Sequence, residues 1–531
     1  MYVISQHVVK HKMNTNQNTP FFIQAMLQPE FYSHTVEKCQ LIETHISWVI
    51  LTGQFAYKIK KPANFGFLDF SSLEKRKFYC EEELRLNRRL APDIYLAVIP
   101  ITGDKNDLEL NGEGNVLEYA VKMKQFPQEI ELDNVLNRGE LNNQIIDSTA
   151  ALISDFHQKI DIADESSGYG KPGTVFKPIK ENIDQIRERI TDKTTLTMLE
   201  QIEHWSEDTF NQLKPVLNER KQSGFIRECH GDLHLRNLAW YKNKPLAFDC
   251  LEFNPDFRWI DVISEIAFLI MDLADHQQPG LAQRFLNQYL AISGDYAGCR
   301  VLTFYLVYRA MVRAKVDAIR AQQQGISPQD ANDAMAEFKN YLELALKYTQ
   351  IKTPLVMITR GVSGSGKSTI TGPLSEKLAA IRIRSDVERK RLFNINPQQN
   401  NNNDIAQGIY SKEATEKTYL KLLELAETVI KSGFPVIIDA TFSTYAQRKL
   451  FKTLANRHQL RFVILEFTAA EETLRQRVAK RENDVSDADI DVLNNQLKHW
   501  QALEADEKEY AVTINTEKTQ DINQLIQALA L

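Results

Sequence analysis

The chain has 531 residues, of which 43% are hydrophobic and 25% charged; this ordinary globular composition is too long for one compact core and indicates two or three folding units. Its net charge of -6 excludes the strongly basic surface of a protein that binds nucleic acid non-specifically. The five cysteines include no C-x-x-C pair, which favours reduced thiols in a cytoplasmic protein.

The N-terminal segment, residues 1–20, is expected to be a loose tail. It lacks the basic segment and long apolar run of a secretory signal, and Met13 could equally be the start residue. The longest apolar stretch, 263–274, is interrupted by Glu265 and Asp272. Because a membrane-spanning helix needs about 20 apolar residues, no membrane segment is expected.

Residues 21–126 have the pattern of a small lobe rich in strands. Four short runs, "WVILTG", "FAYKIK", "YLAVIPI" and "YAVKMKQF", are bounded by Gly, Asn and Asp turns, and one helix is predicted over 73–90. Residues 127–350 favour helices, as the apolar spacing within 305–319 illustrates. The sequence therefore predicts a sheet-rich lobe followed by a larger helical lobe.

The composition changes at about residue 351. Short apolar runs, "PLVMITR", "AIRIRSD", "PVIIDAT" and "RFVILEFTA", alternate with helical segments. Strands that alternate with helices indicate a parallel sheet covered on both faces. We therefore expect a second, α/β domain over 351–531, and a multidomain α/β chain as a whole.

Two lysines of the small lobe, Lys58 and Lys60, share one face of a predicted strand. One of them is expected to anchor ATP, with Glu83 of the following helix as its partner. Glu83 lies in the apolar stripe of that helix, where an unpaired carboxylate would be costly to bury. The alternative is that Glu83 is solvated.

The segment "HGDLHLRN" carries the pattern of a phosphoryl-transfer loop. Asp232 suits the base that takes the proton of an acceptor hydroxyl, and Asn237 and Asp249 suit Mg²⁺ ligands near the ATP phosphates. The hairpin "LAWYKNKPLAF" is expected to bring the three together. A zinc site at His230 and His234 is the weaker interpretation, because no further Cys or His stands at ligand spacing.

Three charged residues beyond the loop are further candidates. Asp261 is expected to brace the catalytic segment from the next helix. Arg309 and Arg313, four residues apart on a helix, could face an anionic acceptor, but a solvent-facing pair supported by Asp317 is the favoured interpretation.

The most specific motif is "GVSGSGKST", which follows a predicted strand and fits the P-loop pattern G-x-x-x-x-G-K-[ST]. Its glycines allow the backbone to wrap phosphate, its lysine reaches the β- and γ-phosphates, and its first serine after the lysine holds Mg²⁺. The predicted nucleotide-binding residues are Gly361, Ser363, Gly364, Ser365, Gly366, Lys367, Ser368 and Thr369.

Residues after the next two strands suit a kinase. Asp386 is placed to act as a base, and Arg389 to hold an acceptor phosphate or the transferring group. Asp439 ends a strand, where it can orient the waters of Mg²⁺. Helix capping, a surface arginine and a strand-end turn are the alternatives for these three.

Further along, Arg477 and Arg481 lie four residues apart on a predicted helix. Both could point at nucleotide phosphates as part of a closing lid. The alternative is a solvated helix face. No N/T-K-x-D motif is present, which argues against a GTPase.

The first half resembles the aminoglycoside phosphotransferase family, which shares the two-lobed protein-kinase fold. "HGDLHLRN" matches its H-G-D-x-x-x-x-N loop and "FDCLEF" its metal-binding segment. "YKIKKPANFGFLDFSSLEKR", with a P-loop domain behind it, resembles bacterial two-domain proteins named as bifunctional aminoglycoside phosphotransferase/ATP-binding proteins. The resemblance implies a kinase-like domain over 21–350, with lobes at about 21–126 and 127–350, but not an antibiotic acceptor. The sequence lacks one feature of the family, since no G-x-G-x-x-G loop precedes Lys58.

The second half, with D-x-x-R and R-x-x-x-R around a P-loop, is similar to polynucleotide kinases and zeta-toxin-like kinases. That resemblance implies phosphoryl transfer from ATP to a hydroxyl. The leading hypothesis is thus a bifunctional kinase that uses ATP and Mg²⁺ at two sites and acts on an unidentified hydroxyl compound, either a small molecule or a nucleic-acid end. Two alternatives stay open: only the P-loop half is active and the other half regulates or binds, or the P-loop half is an ATPase switch that acts on a partner.

Overall fold

The structure is a computed structural model and describes residues 19–66, 68–323, 325–350, 353–395, 409, 411–480 and 490–529. The chain forms two compact units. The first, here the kinase-like unit, comprises Met1–Asp275 and Phe304–Tyr348. The second, here the P-loop unit, comprises His276–Thr303 and Thr349–Leu531. The domain boundaries expected from the sequence stay a prediction.

The small lobe of the kinase-like unit is built on an antiparallel sheet with strand order β1-β2-β3-β6-β4-β5. Its strands are β1 (Gln40–Glu43), β2 (Ser47–Leu51), β3 (Phe55–Lys60), β4 (Tyr95–Gly103), β5 (Leu108–Leu110) and β6 (Val116–Lys124). The four apolar runs of the sequence correspond to β2, β3, β4 and β6. The two strands not predicted are the short ones, since four and three residues hold too little periodicity to recognise.

Helices make up most of the remaining elements that the structure describes before residue 350. They are α1 (Phe21–Met26), α2 (Leu73–Asn87), α3 (Leu132–Asn137), α4 (Asn143–Lys159), α5 (Pro172–Arg187), α6 (Lys193–Gln222), α7 (Val262–Asp275), α8 (Pro279–Ser293), α9 (Cys299–Arg320) and α10 (Pro328–Thr349). α2 begins where the Ser72 side chain accepts a hydrogen bond from the Lys75 amide. α8 clusters with the P-loop unit.

Two small antiparallel ladders interrupt these helices. β7 (Ile226–Glu228) pairs with β10 (Trp259–Asp261), and β8 (Leu238–Tyr241) forms a hairpin with β9 (Lys244–Ala247). The hairpin turns at Lys242 and Asn243, whose φ angles of 49° and 61° are those of the tight turns that match strand twist. The predicted hairpin between Asn237 and Asp249 is therefore present.

The P-loop unit contains a fully parallel sheet with strand order β12-β13-β11-β14-β15. Its strands are β11 (Leu355–Arg360), β12 (Ile381–Arg384), β13 (Val436–Asp439), β14 (Arg461–Thr468) and β15 (Ala511–Asn515). Its other described helices are α11 (Lys367–Leu378), α12 (Ser385–Leu392), α13 (Lys412–Lys431), α14 (Tyr445–Arg457), α15 (Glu471–Ala479), α16 (Ile490–Lys498) and α17 (Ile522–Ala528). The predicted parallel sheet is confirmed.

This topology brings the predicted P-loop residues together. The P-loop follows β11, Asp386 follows β12, and Asp439 is the last residue of β13. Since the strands are parallel, their carboxyl ends lie at one edge of the sheet, where ligands bind in open α/β folds. The predicted mixed α/β class of fold is confirmed. Among the residues that the structure describes, no helix is both long enough and apolar enough to span a membrane.

Candidate active sites

A buried cluster of charges lies at the base of the small lobe. Glu83 Oε1 lies 2.8 Å from Lys58 Nζ, and Glu83 Oε2 lies 2.7 Å from Lys60 Nζ. Lys58 also donates to Asp249 at 2.6 Å, and Lys60 to Glu252. The ion pair expected from the sequence therefore forms with both lysines, and the alternative of a solvated Glu83 is wrong, because this side chain is fully buried. Sequence reasoning missed Glu252.

The lysines keep Glu83 ionised. Burial alone would raise the pKa of Glu83, but Lys58 and Lys60 outweigh it and lower that pKa to about 2. Glu252 differs, because burial raises its pKa more than Lys60 lowers it. The carboxylates of Asp249 and Glu83 raise the pKa of Lys58 despite its burial. The ammonium group of Lys58 is therefore positively charged, and a nucleotide phosphate could replace one of its carboxylate partners. The role of Lys58 in anchoring ATP stays a prediction.

The candidate catalytic loop, residues 230–237, is held by hydrogen bonds. Asn237 Nδ2 donates to the Asp232 carbonyl at 2.9 Å and to Asp232 Oδ2 at 3.1 Å. The other carboxylate oxygen, Asp232 Oδ1, is buried and has no hydrogen-bond partner within the described residues. A buried carboxylate oxygen without a donor is costly in a resting protein and suits an oxygen reserved for a ligand hydroxyl.

Asp232 is ionised in this setting. Burial would raise its pKa, but the neighbouring His234, through charge and a hydrogen bond, and His230 together lower it. Asn237 is left with its amide oxygen as a ligand atom, because its nitrogen is committed to Asp232. Asp249 adopts φ 61°, a strained conformation for a residue other than glycine and one that clusters at functional sites. Oxygen donors of this kind fit Mg²⁺.

The two histidines of the loop have separate partners. His230 Nε2 lies 2.9 Å from the Phe248 carbonyl, and His230 Nδ1 accepts from the Asp232 amide at 3.3 Å. His234 Nε2 lies 3.4 Å from Asp232 Oδ2. His230 thus ties the loop to Phe248, the residue before Asp249, and the two histidines have different partners.

Glu265 braces the loop, and sequence reasoning did not identify it. Its carboxylate accepts from the amides of His230 at 2.9 Å and Gly231 at 2.7 Å, and lies 3.3 Å from His157. His157, Cys229 and Glu265 have ligand atoms within 4.8 Å of one another, a spacing that a metal could use. We interpret the cluster as structural, because both Glu265 oxygens already accept amides and burial raises the pKa of Cys229, which keeps its thiol protonated.

The Glu265 brace predicts a pH-dependent stability. Burial opposes ionisation, but His157 and the amides lower the pKa of Glu265 from 4.5 to about 2. Its contribution is full above pH 4.5 and is lost as the pH falls toward 2. We expect Glu265→Gln to destabilise the protein by about 2 kcal/mol at neutral pH, since the new amide faces a backbone N–H, and by progressively less in acid.

Calorimetric melting from neutral pH to about pH 3.5 measures this difference. Glu200→Gln, on the exposed face of α6, is the matched control and should leave the melting temperature unchanged. A destabilisation by Glu265→Gln that is the same at every pH contradicts the assignment.

The structure corrects two predictions near the loop. Asp261 does not brace it; its carboxylate pairs with the buried Arg220 at 2.6 Å and accepts from the Ile263 amide. Arg309 and Arg313 are not a solvent-facing pair, because both are 5% exposed. Arg309 donates to the Ser264 and Gly231 carbonyls, at 3.0 and 3.4 Å.

The environment of Arg313 explains part of that error. It stacks on the Tyr341 ring, with its guanidinium carbon 5.5 Å from the ring centroid. Nearby Asp317 is fully buried, and burial raises its pKa to about 7. A cation–π contact with an aromatic ring stabilises a buried arginine. Such a ring is distant in sequence, so the spacing of the arginines does not predict it.

A narrow cavity of about 60 Å³ opens beside the catalytic loop at Gly231. Aromatic residues form much of its wall: Phe253, Phe257, Trp259, Tyr305 and Tyr308. Arg309, Lys315 and Asp256 are among its charged residues. This cavity is the candidate acceptor site of the kinase-like unit.

In the P-loop unit, two glycines of the P-loop adopt the left-handed backbone conformation that glycine favours. Gly364 and Gly366 have φ angles of 81° and 80°, which side chains rarely tolerate. A Cβ at Gly364 would lie 2.8 Å from the Leu474 carbonyl, and one at Gly361 2.4 Å from Ser365 Oγ. A side chain at Gly364 would therefore collide with backbone, and one at Gly361 with the Ser365 side chain. Helix α11 begins directly after the loop at Lys367.

Lys367 and Ser368 lie at the end of the loop. Lys367 Nζ donates to the Gly361 carbonyl at 2.8 Å and the Val362 carbonyl at 3.0 Å. Ser368 Oγ donates to Asp439 Oδ2 at 3.2 Å. The predicted metal ligands Ser368 and Asp439 are thus in contact, and hydroxyl and carboxylate oxygens are the donors that Mg²⁺ prefers.

Cations surround Asp439. Burial would raise its pKa, but Arg382, Arg384 and Lys367 outweigh burial and lower the pKa to about 2. Arg382 Nη2 donates to Asp439 Oδ2 at 2.6 Å. An ionised Asp439 at the P-loop is what a Walker-B carboxylate requires, and sequence reasoning missed both arginines.

A cleft of about 1160 Å³ extends from the loop and is large enough for a nucleotide and an acceptor. The predicted residues that line it are Ser363, Gly364, Gly366, Lys367, Ser368, Thr369, Asp386, Arg389, Asp439 and Arg477. Gly361 and Ser365 lie behind that surface. Ser365 is 1% exposed, and Gly361 accepts the Lys367 contact through its carbonyl. The roles predicted for these residues stay predictions.

Two arginines of the cleft are held in ways that the motif did not indicate. Arg389 is buried, and its guanidinium donates to the Ile409 carbonyl at 2.7 Å and to Thr415 Oγ1 at 3.3 Å. Arg477 donates to Thr516 at 2.9 Å and the Gly364 carbonyl at 3.3 Å. Arg477 therefore contacts the P-loop backbone, whereas Arg481 lies outside the described residues.

Helix α16 supplies cleft residues without any motif. Gln496 Oε1 accepts from the Ser363 amide at 2.7 Å. His499, the residue after the helix, also lines the cleft. Leu493 of the same helix packs in an apolar cluster with Val362 of the P-loop and Leu474. The hydrophobic pattern of α16 could have predicted a helix, but not its position over the P-loop.

Together, the fold and the sites describe a two-lobed, kinase-like unit and a second unit that carries a P-loop. Residues 356–503 match the family model described as an AAA domain. Uncharacterised proteins of Mycobacterium tuberculosis and Mycobacterium bovis are each 29% identical over 450 residues, 85% of this chain and 88% of theirs. The predicted resemblance to a kinase-like half followed by a P-loop half is confirmed at this level.

Parts of the chain are also similar to solved structures. An amicoumacin kinase in complex with AMP-PNP aligns at 14% identity over 60% of this chain and 91% of its own, with a TM-score of 0.38. A choline/ethanolamine kinase family protein of Mesorhizobium loti aligns at 9% over 61% and 98%, with a TM-score of 0.36. A sugar kinase of Janibacter aligns at 22% over 33% and 92%, with a TM-score of 0.26.

Proposed function

We propose that the chain is a bifunctional ATP-dependent phosphotransferase that transfers the γ-phosphoryl group of Mg-ATP to a hydroxyl acceptor at two sites. The observation that carries this proposal is Asp232 Oδ1, a buried carboxylate oxygen without a donor in the described residues, beside Asn237. The same unit holds the ion pair of Lys58 with Asp249. Phosphoryl transfer needs a base for the acceptor and cations for the phosphates, and these side chains supply the base and one of the cations.

In the kinase-like unit, Asp232 takes the proton of the acceptor hydroxyl while the hydroxyl oxygen forms a bond to the γ-phosphorus. The bond to the β–γ bridging oxygen breaks, and ADP leaves with that oxygen. Lys58 attracts the phosphates, and Asn237 and Asp249 would hold Mg²⁺, which neutralises phosphate charge when bound. Glu265 and His230 keep the loop in place.

In the P-loop unit, Lys367 would move from its carbonyl partners to the β- and γ-phosphates. Ser368 and Asp439 would hold Mg²⁺, and Asp386, at the cleft surface, would deprotonate the acceptor. The acceptor in each unit is a hydroxyl compound, either a small molecule or a nucleic-acid end. ATP and Mg²⁺ are the implied cofactors, and the cytoplasm is the proposed location.

One observation favours a second candidate, in which the kinase-like unit binds or regulates and only the P-loop unit is active. The connection between β1 and β2 spans residues 44–46 and contains no glycine. It closes as a tight turn, with the Thr44 amide donating to the Ser47 carbonyl at 2.9 Å. A flexible glycine loop over the phosphates is therefore absent from this connection.

The test is phosphoryl transfer by the full chain with γ-labelled ATP, Mg²⁺ and fractionated small molecules and nucleic-acid ends. The proposal expects two labelled products, one dependent on each unit. A single labelled product that disappears when the P-loop is inactivated supports the second candidate, in which only the P-loop unit is active. Label that appears only as free phosphate with every acceptor contradicts both and favours an ATPase switch.

A further inference from the structure

Helix α8 is part of the P-loop unit, although it ends at Ser293, far from Leu355 where β11 begins. Its polar side chains contact the end of α11 and the start of β12. Gln283 Nε2 donates to the Ala380 carbonyl at 2.9 Å. Arg284 pairs with Glu376 of α11 at 2.9 Å. The helix is therefore held to the sheet by directed hydrogen bonds as well as by packing.

Asn287 of α8 covers the open edge of the sheet. Among the described strands, β12 lies at the edge of the sheet and pairs with β13 alone. Asn287 Oδ1 accepts from the Arg382 amide at 2.9 Å, and its Nδ2 donates to the Ala380 carbonyl at 3.0 Å. A carboxamide offers one donor group and one acceptor, as a peptide does, so Asn287 takes the place of a neighbouring strand along this part of the edge.

The strand that Asn287 holds reaches the candidate metal site. Arg382 Nη2 and Nε donate to Asp439 Oδ2, at 2.6 and 3.2 Å. The same oxygen accepts from Ser368 Oγ at 3.2 Å and from Thr371 Oγ1 at 3.0 Å. A continuous chain of contacts thus runs from α8 through the backbone and side chain of Arg382 to the carboxylate beside Ser368.

We propose that Asn287 is a positioning residue for the metal site of the P-loop unit, acting through Arg382 on the carboxylate of Asp439. This inference rests on the proposed binding of Mg-ATP at the P-loop. Mg²⁺ tolerates little departure from octahedral geometry, whereas the P-loop backbone and Lys367 bind phosphate without it. Loss of the Asn287 contacts should therefore weaken the increase in nucleotide affinity that Mg²⁺ causes. Nucleotide affinity in the absence of Mg²⁺ should change less.

The experiment measures binding of a fluorescent ATP analogue to the full chain, counting only the signal that Lys367→Ala abolishes. Binding is titrated with Mg²⁺ and repeated in EDTA. We expect Asn287→Ala to raise the Mg²⁺ concentration for half-maximal effect about fivefold and to change affinity in EDTA less than about twofold. Gln288→Ala, the next residue of α8, is the matched control and should match the unmodified chain.

Two further variants keep the inference testable if Asn287→Ala does not fold. Arg382→Lys retains the backbone contact and the charge but loses the two-nitrogen contact with Asp439, and it should raise the Mg²⁺ requirement in the same direction. Asn287→Asp keeps the acceptor for the Arg382 amide and should restore part of the loss. A merely structural role for α8 lowers the melting temperature of Asn287→Ala without changing the Mg²⁺ requirement.

An unchanged Mg²⁺ requirement in Asn287→Ala or in Arg382→Lys overturns the inference. So does an equal loss of affinity with and without Mg²⁺, which indicates general loosening of the loop. The measurement needs no turnover. A chain that binds Mg-ATP as expected but transfers no phosphate contradicts the proposed function and leaves this inference standing.

Discussion

Replacing Lys367 by alanine is expected to remove phosphoryl transfer by the P-loop unit, with a fall in its rate of about 10³-fold. The ammonium group now lies 2.8 Å from the Gly361 carbonyl, at the mouth of the cleft where the phosphates would bind. No second lysine lines that cleft near the loop among the described residues; Lys412 belongs to the start of α13. In the transition state, negative charge lies on the equatorial oxygens of the transferring phosphoryl group. Without Lys367, no flexible ammonium group near the loop, within the part of the chain that the structure describes, would stabilise that charge.

The measurement is transfer of labelled γ-phosphate by the full chain in the presence of an acceptor that the P-loop unit uses. Lys377→Ala is the matched control, because Lys377 is exposed in the last turn of the same helix. It should keep full activity. If Lys367→Ala retains most of the transfer that depends on Asp386 while its melting temperature is unchanged, the P-loop does not serve the reaction.

Sequence reasoning succeeded in the places where a motif and a regular element coincide. β11 precedes the P-loop and α11 follows it, so local periodicity was enough to place Gly361 and Lys367. Likewise the hairpin of β8 and β9 joins Asn237 to Asp249, because the Lys242–Asn243 turn is a short-range feature. Neighbours along the chain determine such sites.

The same reasoning failed where contacts are distant in sequence. Asp261 and Glu265 lie four residues apart, and the pattern gave no means of choosing between them; only the junction of β10 and α7 turns Glu265 toward the loop. Arg309 and Arg313 have the spacing of a surface pair but face aromatic rings in the core. Charge spacing describes a helix face and does not say what covers it.

Helix α8 also has contacts that are distant in sequence. Its sequence has the amphipathic pattern of any helix, and it falls within the predicted helical lobe, residues 127–350. In the structure it clusters with the P-loop unit, where Asn287 reaches Arg382. No composition shift marks this membership, because the partners of α8 lie almost a hundred residues further along the chain. Fragments divided at residue 350 would separate α8 from β12, which is why each experiment here uses the full chain.

Replacing Asp232 by asparagine is expected to remove phosphoryl transfer by the kinase-like unit, lowering kcat by about 10² to 10⁴-fold. The amide keeps the shape of the side chain and can still accept from Asn237 Nδ2. It cannot take a proton, and it places a neutral group where His234 and His230 now favour an ionised carboxylate. The ion pairs of Lys58 with Glu83 and Asp249, where ATP is proposed to bind, are untouched, so we expect ATP affinity to change by less than about twofold.

The measurement uses Lys367→Ala as the background, so that any labelled product comes from the kinase-like unit. Asp93→Asn, an exposed aspartate of the same unit, is the matched control and should retain full transfer. Because the lowered pKa keeps Asp232 ionised, the unmodified unit should hold its activity as the pH falls toward the acid range. Transfer that survives Asp232→Asn in this background contradicts the assignment of the base. If the background forms no product at all while ATP still binds, the kinase-like unit is a binding or regulatory module, because its carboxylate then has no acceptor to deprotonate.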